Sequence, residues 1–455
     1  MSELIAHDLT EVVPPELVDA IFSLQREAAE RGMTLFLVGG PVRDWLLGAR
    51  VVDVDLLVAG GRPRDAVELA RAALGEDVEI REHPRFGTAK VSLGAHTIDL
   101  GCMRKEHYEQ PGVLPKVSPG TLEDDMRRRD FAINALAVPL LGDGRLTVDS
   151  VLDLVGGLED LGDRTLRVLH ERSFHDDPTR ALRAARFCAR LDGRLARGSR
   201  SYLRDALRDG SFGAVSGDRL RQEFERLFAD VLIGGDASKA LASLDRWHVL
   251  SALEPGLGYH KDANTPLRRL AKLLVNPPWR LRDNRPWVSG LYVWLATLPP
   301  AMRRRVVSRL SVRGEVGNRL VDFAPLRKKA IRSLEGARGR GAVDVVLGEL
   351  DEEQLLALCA SCTPAVRRRV VRWAGEDRDR RIPVTGRDLV KATVEGPVVG
   401  IALSRIRAAY LDGEVANREE AMALAREIVR RSTRKLAKAK PKSKRTRTPK
   451  EDPTP

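Results

Sequence analysis

Residues 35–58 read LFLVGGPVRDWLLGARVVDVDLLV, and residues 124–135 read DDMRRRDFAINA. The first stretch joins two apolar runs through a pair of glycines and places two aspartates in the second run. The second stretch adds arginines, an aspartate and an asparagine. Both lie within ~100 residues, the size of one small α/β domain. Carboxylates suit metal ions and arginines suit phosphates, so the two stretches together predict a domain that holds a nucleoside triphosphate and two metal ions.

The order of local patterns predicts a mixed α/β head. TLFLVGG predicts a buried strand that ends in a glycine turn, and PVRDWLLG predicts a helix with proline in its first turn. VVDVDLLVAG predicts a second strand, and TAKVSLGAHTIDLG predicts a β-hairpin. Residues 101–122 are rich in glycine and proline, which predicts a mobile loop. LEDDMRRRDFAINALAV predicts a return to regular structure as a helix.

Three aspartates are the candidate catalytic residues. Asp53 and Asp55 are two apart on one strand, so the period of two places them on the same side. Two such carboxylates can bridge two Mg²⁺ ions ~3.5–4 Å apart. Asp99, in the second arm of the hairpin, is the candidate third carboxylate, either as a metal ligand or as the group that takes a proton from an attacking hydroxyl.

The glycine turn predicts a phosphate-binding loop. Gly39 and Gly40 allow close approach of the backbone to phosphate oxygens, and the following helix adds partial positive charge. Arg43 can pair with a phosphate through two hydrogen bonds. Asp44 is expected to hold Arg43 or the loop in place. The pattern is neither a Walker A loop nor G-x-G-x-x-G, which excludes the P-loop and Rossmann classes.

The second stretch predicts contacts to ribose and triphosphate. On a helix, Asp130 and Asn134 are neighbours at i and i+4, and both can hydrogen-bond to ribose hydroxyls. Arg128 and Arg129 suit the triphosphate. A helix N-terminus with charged capping residues is the alternative interpretation.

A later segment, HDDPTRALRAARF, predicts base recognition. Asp177 and Arg180 are three apart on a predicted helix, and together they can hydrogen-bond to the edge of a nucleotide base. Arg183 and Arg186 continue the face. An ordinary surface salt bridge between Asp177 and Arg180 is the alternative interpretation.

With these motifs in this order, the chain resembles the class II tRNA nucleotidyltransferase and bacterial poly(A) polymerase family, most strongly over residues 35–235. The resemblance implies an α+β fold: a polymerase-β-type nucleotidyltransferase head, a small mixed sheet with helices, followed by an all-helical neck, body and tail. It implies Mg²⁺ as cofactor, CTP and ATP as substrates, and the acceptor arm and 3′ end of tRNA as partner. Residue by residue, it assigns the nucleotide-phosphate turn to Gly39, Gly40 and Arg43, and the metal-binding pair to Asp53 and Asp55. Asp99 matches the third acidic residue of the family. The ribose and triphosphate motif matches Arg129, Asp130 and Asn134, and the amino-acid template for CTP and ATP matches Asp177 and Arg180.

Periodicity and the resemblance together predict the domain organisation. From Arg164 onward the pattern is almost wholly helical. We expect an N-terminal extension at residues 1–33, a catalytic head at 34–165 and a neck at 166–235. We expect an RNA-binding body at 236–380, a tail domain at 381–430 and a disordered basic tail at 431–455.

Composition points to a soluble protein with a polyanionic partner. The net charge is +13 at pH 7, and residues 431–455 contribute eight of those charges. There is no run of 18 apolar residues, which predicts no membrane segment. Four cysteines in 455 residues indicate a reducing cytoplasm. Cys359 and Cys362 form a C-x-x-C, which we interpret as ordinary helix cysteines, with metal or redox use as the alternative.

Three functions remain to be distinguished. The leading hypothesis is a Mg²⁺-dependent enzyme that extends tRNA 3′ ends with C and/or A and releases pyrophosphate. A poly(A) polymerase acting on other RNAs is the alternative enzyme, and the motifs barely separate the two. A non-catalytic RNA-binding protein is the alternative from a different class, and the intact aspartates argue against it.

Overall fold

The computed structural model describes residues 13–49, 51, 53–62, 64–75, 77–83, 87–94, 96–107, 115–141, 148–391 and 397–439. The chain divides into two compact units. Unit 1 comprises residues 1–275 and 286–321, and unit 2 comprises residues 276–285 and 322–455.

Unit 1 is built on a seven-stranded mixed sheet. Its strands are β1 Thr34–Val38, β2 Asp53–Ala59, β3 Glu79–His83, β4 Thr88–Leu93, β5 His96–Cys102, β8 Leu136–Leu140 and β9 Leu152–Asp153. Their order is β3-β4-β5-β2-β1-β8-β9, and β2 and β5 pair in parallel while the other neighbours pair antiparallel. The mixed sheet and the β4–β5 hairpin that carries Asp99 were both predicted from the sequence.

Helices cover both faces of this sheet. The helices of the head are α1 Pro15–Glu30, α2 Gly40–Leu46, α3 Asp65–Leu74, α4 Leu122–Arg127 and α5 Gly157–Gly162. Alternate residues of a strand point to opposite faces. On β1, Leu35 and Leu37 are therefore buried on one face and Phe36 and Val38 on the other, where they join a cluster with Met126 of α4.

The second half of unit 1 is helical, as predicted. Its elements are α6 Ser173–Asp176, α7 Arg180–Leu191, α8 Arg197–Arg208, α9 Gly217–Ala229, α10 Ala237–Arg246, α11 Val249–Leu253, α12 Asn264–Val275, α13 Pro286–Leu295 and α14 Pro300–Arg309. A short parallel pair, β10 Thr165–Leu166 and β11 Arg194–Leu195, joins the start of this region to the end of α7.

The remaining helices begin with α15 Gly314–Gly336, within which the boundary between the units falls. Unit 2 continues with α16 Gly339–Leu347, α17 Glu352–Ser361, α18 Pro364–Arg372, a π-helix at Trp373–Asp377, α19 Gly386–Lys391, α20 Pro397–Asp412 and α21 Arg418–Ala439. The last three helices pack around a cluster that includes Leu389, Ala402, Ile406, Ala421 and Ala425. The division into six segments stays a prediction.

The two cysteines of the C-x-x-C motif lie at the end of α17. Cys359 and Cys362 are both buried free thiols, and burial raises the pKa of Cys359 to about 12. A thiol that resists ionisation is a poor metal ligand or nucleophile. Their surroundings fit the interpretation as ordinary helix cysteines.

Three local predictions need correction. Within residues 101–122, two strands, β6 Arg104–His107 and β7 Lys116–Pro119, form a hairpin, and residues 108–114 lie outside the described residues. Helix α4 ends at Arg127, and the chain continues as a turn and a 3₁₀ helix at Ala132–Asn134. The helix predicted across residues 122–138 is broken because the Ala132 N–H donates to the Arg167 carbonyl and not to the preceding turn.

The third correction concerns the base-recognition segment. Helix α7 begins at Arg180, and Asp177 precedes it with an extended backbone, φ −136° and ψ 93°. Asp177 and Arg180 are therefore not three apart on one helix. Across the described ranges, no helix is long and apolar enough to cross a membrane. The last helix continues into the predicted disordered tail, and residues 440–455 lie outside the described part.

Candidate active site

A cavity of about 1470 Å³ opens in unit 1 between the sheet and the helices that follow it. Its lining comes from β2, β4 and β5, from α2 and from α7, which join parts of the chain far apart in sequence. Twelve of the fourteen predicted site residues line it: Gly40, Arg43, Asp55, Asp99, Arg128, Arg129, Asp130, Asn134, Asp177, Arg180, Arg183 and Arg186. Gly39 lies directly behind Arg129, and the side chain of Asp53 lies outside the described residues.

The carboxylates are brought together by the parallel strand pair. Asp55 of β2 is in register with Asp99 of β5, and Asp53 is in register with Thr97. Lys90 of β4, in register with Asp99, places its Nζ 3.2 Å from the Asp99 carboxylate. Oxygen donors of this kind fit a hard divalent cation. Within the described ranges, which do not include the side chain of Asp53, no group of three or more His, Cys, Asp or Glu side chains is placed to hold a metal ion.

Gly39 is required by both backbone conformation and space. Its φ of 76° and ψ of −130° lie in a region that side chains rarely adopt. A Cβ at this position would lie 2.4 Å from Nη1 of Arg129. The glycine thus lets the Arg129 guanidinium lie against the turn, where Nη1 donates to the Asn134 carbonyl over 3.3 Å.

Arg43 is buried, and its guanidinium contacts Asp44 and Asn134. Its Nε and Nη2 contact Asp44 at 2.9 and 2.8 Å, and its Nη1 donates to Oδ1 of Asn134 at 2.5 Å. The guanidinium also lies 4.9 Å from the centre of the Phe187 ring, and burial lowers its pKa. In this conformation Arg43 orients Asn134, and one hydrogen on each of Nη1 and Nη2 remains for a phosphate oxygen. The expectation that Asp44 holds Arg43 is confirmed, and Asp44 also accepts from Arg190 at 2.6 Å.

The fully buried carboxylate of Asp125 orients two arginines. Its Oδ2 accepts from Arg128 at 2.7 Å and its Oδ1 accepts from Arg129 at 3.2 Å. The Nε of Arg129 is buried without a hydrogen-bond partner. A buried donor left unpaired costs ~1–3 kcal/mol, so it marks a place where a ligand oxygen would be stabilising. Both arginines are held at the cavity wall by a residue that the sequence analysis did not select.

Asp130 and Asn134 are in contact, although not through a helix. The Asn134 amide donates to Oδ1 of Asp130 over 3.0 Å, and Arg183 pairs with Oδ2 at 2.6 Å. Burial by itself raises the pKa of Asp130, but Arg183 and the Asn134 amide outweigh it and lower the pKa to about 2. Only one of the two amide hydrogens of Asn134 is used by Asp130, which leaves the other for a ligand hydroxyl.

Asp177 and Arg180 are each fixed by other parts of the chain. Oδ1 of Asp177 accepts from the Thr179 hydroxyl at 2.6 Å and from Nη2 of Arg219 at 2.7 Å. Arg180 is buried, and its guanidinium donates to the Ser173 hydroxyl and, over 2.9 Å, to the carbonyl of Arg128. The pair thus presents fixed groups to the cavity instead of forming a surface salt bridge with each other.

Arg186 is paired with two carboxylates at the cavity. Its Nε lies 3.1 Å from Asp230 and its Nη1 lies 3.0 Å from Glu223, and all three side chains are buried. Arg186 therefore joins α7 to α9, and its predicted role at the nucleotide stays a prediction.

Sequence reasoning missed four residues of the site. Lys90, Asp125, Arg190 and Arg219 all orient predicted residues. Two of them left a usable signal: Lys90 is opposite Asp99 in the register of the hairpin, and Asp125 lies three and four residues before Arg128 and Arg129.

Comparison with known proteins identifies what this arrangement is similar to. Residues 35–167 match the family model described as the poly A polymerase head domain. The chain is 29% identical over 435 residues to an A-adding tRNA nucleotidyltransferase of Geobacter sulfurreducens, covering 92% of this chain and 48% of that protein. It is 41% identical over 243 residues to a CC-adding tRNA nucleotidyltransferase of Deinococcus radiodurans, covering 51% of this chain and 60% of that protein.

A solved structure shows the same fold over nearly the whole chain. It is the Thermotoga maritima CCA-adding enzyme complexed with tRNA, with a TM-score of 0.66 and 25% identity, and the match covers 93% of this chain and 97% of that one. The chain spans about half the length of the two curated relatives described above.

Proposed function

We propose that this chain belongs to the class II tRNA nucleotidyltransferase and bacterial poly(A) polymerase family and adds C and/or A to the 3′ end of tRNA. CTP and ATP are the nucleotide donors, and pyrophosphate is released. The nucleotide is selected by the protein's own side chains and not by a nucleic-acid template. The names of the A-adding and CC-adding relatives, and of the tRNA-bound neighbour, support the proposal.

One observation carries the proposal: a single cavity collects the carboxylates, the arginines and the base-recognition residues. The register of β2 and β5 puts Asp55 beside Asp99 at the sheet. Arg128 and Arg129 line the same cavity and are aimed by Asp125. A metal-binding edge and a cluster of arginines in one cavity are what transfer of a nucleotidyl group requires.

The reaction is attack by the RNA 3′ hydroxyl on the α-phosphorus of the nucleoside triphosphate. The new P–O bond forms as the bond to pyrophosphate breaks, and the hydroxyl proton leaves the attacking oxygen. Asp99 either joins the metal ligands or takes this proton. When bound at Asp53 and Asp55, two Mg²⁺ ions would supply neutralisation of the triphosphate charge.

The remaining residues bind and orient the nucleotide. Arg129, with its unpaired Nε, is assigned to the triphosphate, together with Arg128. The free amide hydrogen of Asn134 is assigned to a ribose hydroxyl, and Asp130 and Arg43 hold that amide in place. Asp177 and Arg180 are assigned to the edge of the base, with Arg219 fixing Asp177.

Nucleotide incorporation by the purified protein tests the proposal. The RNA substrates are tRNA transcripts that lack the last three, two or one nucleotides of the CCA end, each with CTP alone, ATP alone, or both. Addition of both cytidines and the adenosine, followed by arrest, identifies a CCA-adding enzyme. Addition of only cytidines, or of only one adenosine to a CC end, identifies a CC-adding or an A-adding enzyme. A long adenosine ladder on varied RNAs would instead support poly(A) polymerase, which the head-domain match also accommodates.

A further inference from the structure

Helix α8 carries four exposed arginines on one face. Arg197, Arg200, Arg204 and Arg208 are spaced by three, four and four residues, so they lie in a row along the helix. We call them the arginine stripe. The opposite face of α8, with Ser199, Leu203 and Ala206, is buried in unit 1.

The stripe is electrostatically unfavourable for the helix itself. Like charges at i,i+3 and i,i+4 destabilise a helix by ~0.2–0.5 kcal/mol per pair. The first turn of α8 contains no acidic residue, so Arg197 faces the positive end of the helix dipole. Arg208 pairs with Asp205, whereas no ion pair joins Arg197, Arg200 or Arg204 to a carboxylate of the described residues. A row of charges that lowers helix stability points to an anionic partner outside the chain.

The stripe begins at the wall of the candidate active site. The N–H of Ala196, immediately before α8, donates to the carbonyl of Leu166, which lines the cavity. Exposed Arg194 on β11 adjoins Arg164, another cavity residue, through a 2.9 Å backbone hydrogen bond. From Arg197 to Arg208 the stripe extends about 16 Å along the helix axis. Basic groups therefore form a row that starts next to the backbone of two residues that line the cavity.

The chemistry of the stripe favours RNA over a membrane. A helix that binds a lipid surface carries large apolar residues beside its basic ones. On α8 the apolar residues Leu203 and Ala206 are instead buried in the fold, and the exposed face carries arginines. Arginine is suited to phosphate oxygens because its guanidinium donates two parallel hydrogen bonds.

We propose that the arginine stripe binds the sugar-phosphate backbone of the RNA whose 3′ end enters the cavity. The inference rests on the proposed function, because it takes the RNA substrate from there. It assigns to α8, in the region predicted as the neck, an electrostatic contact that holds the RNA close to the cavity. Such a contact gives affinity and salt dependence without reading sequence.

The test compares three triple variants of the full chain. The first, Arg197→Gln with Arg204→Gln and Arg208→Gln, removes three charges and spares Arg200, whose Nε donates to the Leu195 carbonyl. The second replaces the same three arginines by lysine and keeps the charge. The third, Arg26→Gln with Arg71→Gln and Arg81→Gln, removes three charges from exposed positions that do not line the cavity. Glutamine and arginine have similar helix propensities, and thermal melting checks that all three variants fold.

Binding of a tRNA transcript that lacks its CCA end is measured by fluorescence anisotropy from 50 to 300 mM salt. For the first variant we expect roughly tenfold weaker binding and a slope of log K against log salt that is shallower by about 2 to 3. Its kcat and its KM for CTP or ATP stay at the wild-type values, while its KM for tRNA rises. The lysine variant retains the wild-type slope, and so does the third variant.

Two results would overturn the proposal. One is an unchanged salt slope in the first variant, and the other is an equal loss in the third variant, which would indicate a net-charge effect. Failure of the proposed function is recognised separately. A wild-type protein that incorporates no nucleotide, yet binds tRNA through the arginine stripe, would refute the proposed enzymatic function and leave the RNA-binding role of the stripe in place.

Discussion

Arg219 and Asp177 form an ion pair of 2.7 Å that joins helix α9 to the segment between helices α6 and α7. The two are 42 residues apart, and the Thr179 hydroxyl donates to the same Oδ1. Because Asp177 is not on a helix, these contacts and not a helical backbone fix its orientation. Base selection by Asp177 would therefore depend on Arg219.

We expect Asp177→Ala to lose discrimination among nucleoside triphosphates more than it loses stability. Arg219→Gln should reproduce part of this effect, because Asp177 is freed to rotate while its carboxylate remains. The measurement is kcat/KM for CTP and ATP against UTP and GTP, with thermal melting alongside. Asp218→Asn, on the exposed face of α9, is the control and should keep the wild-type preference. If Asp177→Ala keeps the wild-type preference for CTP and ATP over UTP and GTP, Asp177 does not select the base.

Replacement of the sheet carboxylates should separate catalysis from RNA binding. Because Asp55 and Asp99 lie side by side across β2 and β5, Asp55→Asn and Asp99→Asn each remove an oxygen donor from the same place. We expect each to lower kcat by roughly a hundredfold or more, with tRNA affinity largely retained. Glu82→Gln, on the exposed strand β3, is the matched control. Activity within a few-fold of wild type in Asp55→Asn would exclude it from the metal site.

Gly39→Ala should damage nucleotide binding as well as stability. The added Cβ meets both the strained backbone and the Arg129 guanidinium, so we expect a loss of ~1–3 kcal/mol and a raised KM for the nucleotide. Gly32→Ala is the matched control, since Gly32 also has a positive φ, +67°, with open space around it. That variant should lose stability while its nucleotide KM stays unchanged. Equal KM values in the two variants would contradict the proposed contact between Gly39 and Arg129.

The lowered pKa of Asp130 predicts a pH-dependent contribution to stability. A carboxyl whose pKa falls from about 4 to about 2 on folding stabilises the folded state by on the order of 2 kcal/mol above pH 4. That contribution is lost as the pH falls through 2. The melting temperature of the wild type should therefore exceed that of Asp130→Asn at pH 6, and the difference should shrink between pH 4 and pH 2.5. A difference that is constant over this range would show that the Arg183 pair does not set the pKa.

The sequence allowed the residues of the site to be selected, but it predicted less well the backbone conformation on which they lie. Residue type and spacing selected Asp55, Asp99 and Arg129, and all three line one cavity, whereas their roles at a metal ion and a phosphate stay predictions. The Asp130–Asn134 contact was predicted for the wrong reason, since a 3₁₀ helix and not an α-helix brings them together. The Phe131 N–H donates to the Asp130 side chain, and such local competition ends helices in ways that periodicity does not reveal.

Two positioning residues, Arg190 and Arg219, could not be predicted from the sequence, for a different reason. Arg190 contacts Asp44 across 146 positions, and Arg219 contacts Asp177 across 42. In an arginine-rich chain, many arginine side chains could form ion pairs with such carboxylates. Only the packing of α7 and α9 in the fold selects the ones that do.

The most direct test of the central claim is release of pyrophosphate by the wild type and by Asp53→Ala with Asp55→Ala, measured side by side. The substrates are two tRNA transcripts, one that lacks the whole CCA end and one that lacks only the final adenosine, each with Mg²⁺, CTP and ATP, and RNA binding is measured in parallel. We predict that the wild type releases one pyrophosphate for each nucleotide added and then stops, while the double variant binds the RNA and releases none. Normal release by the double variant, or none by the wild type, would contradict the assignment of this cavity as a nucleotidyl-transfer site.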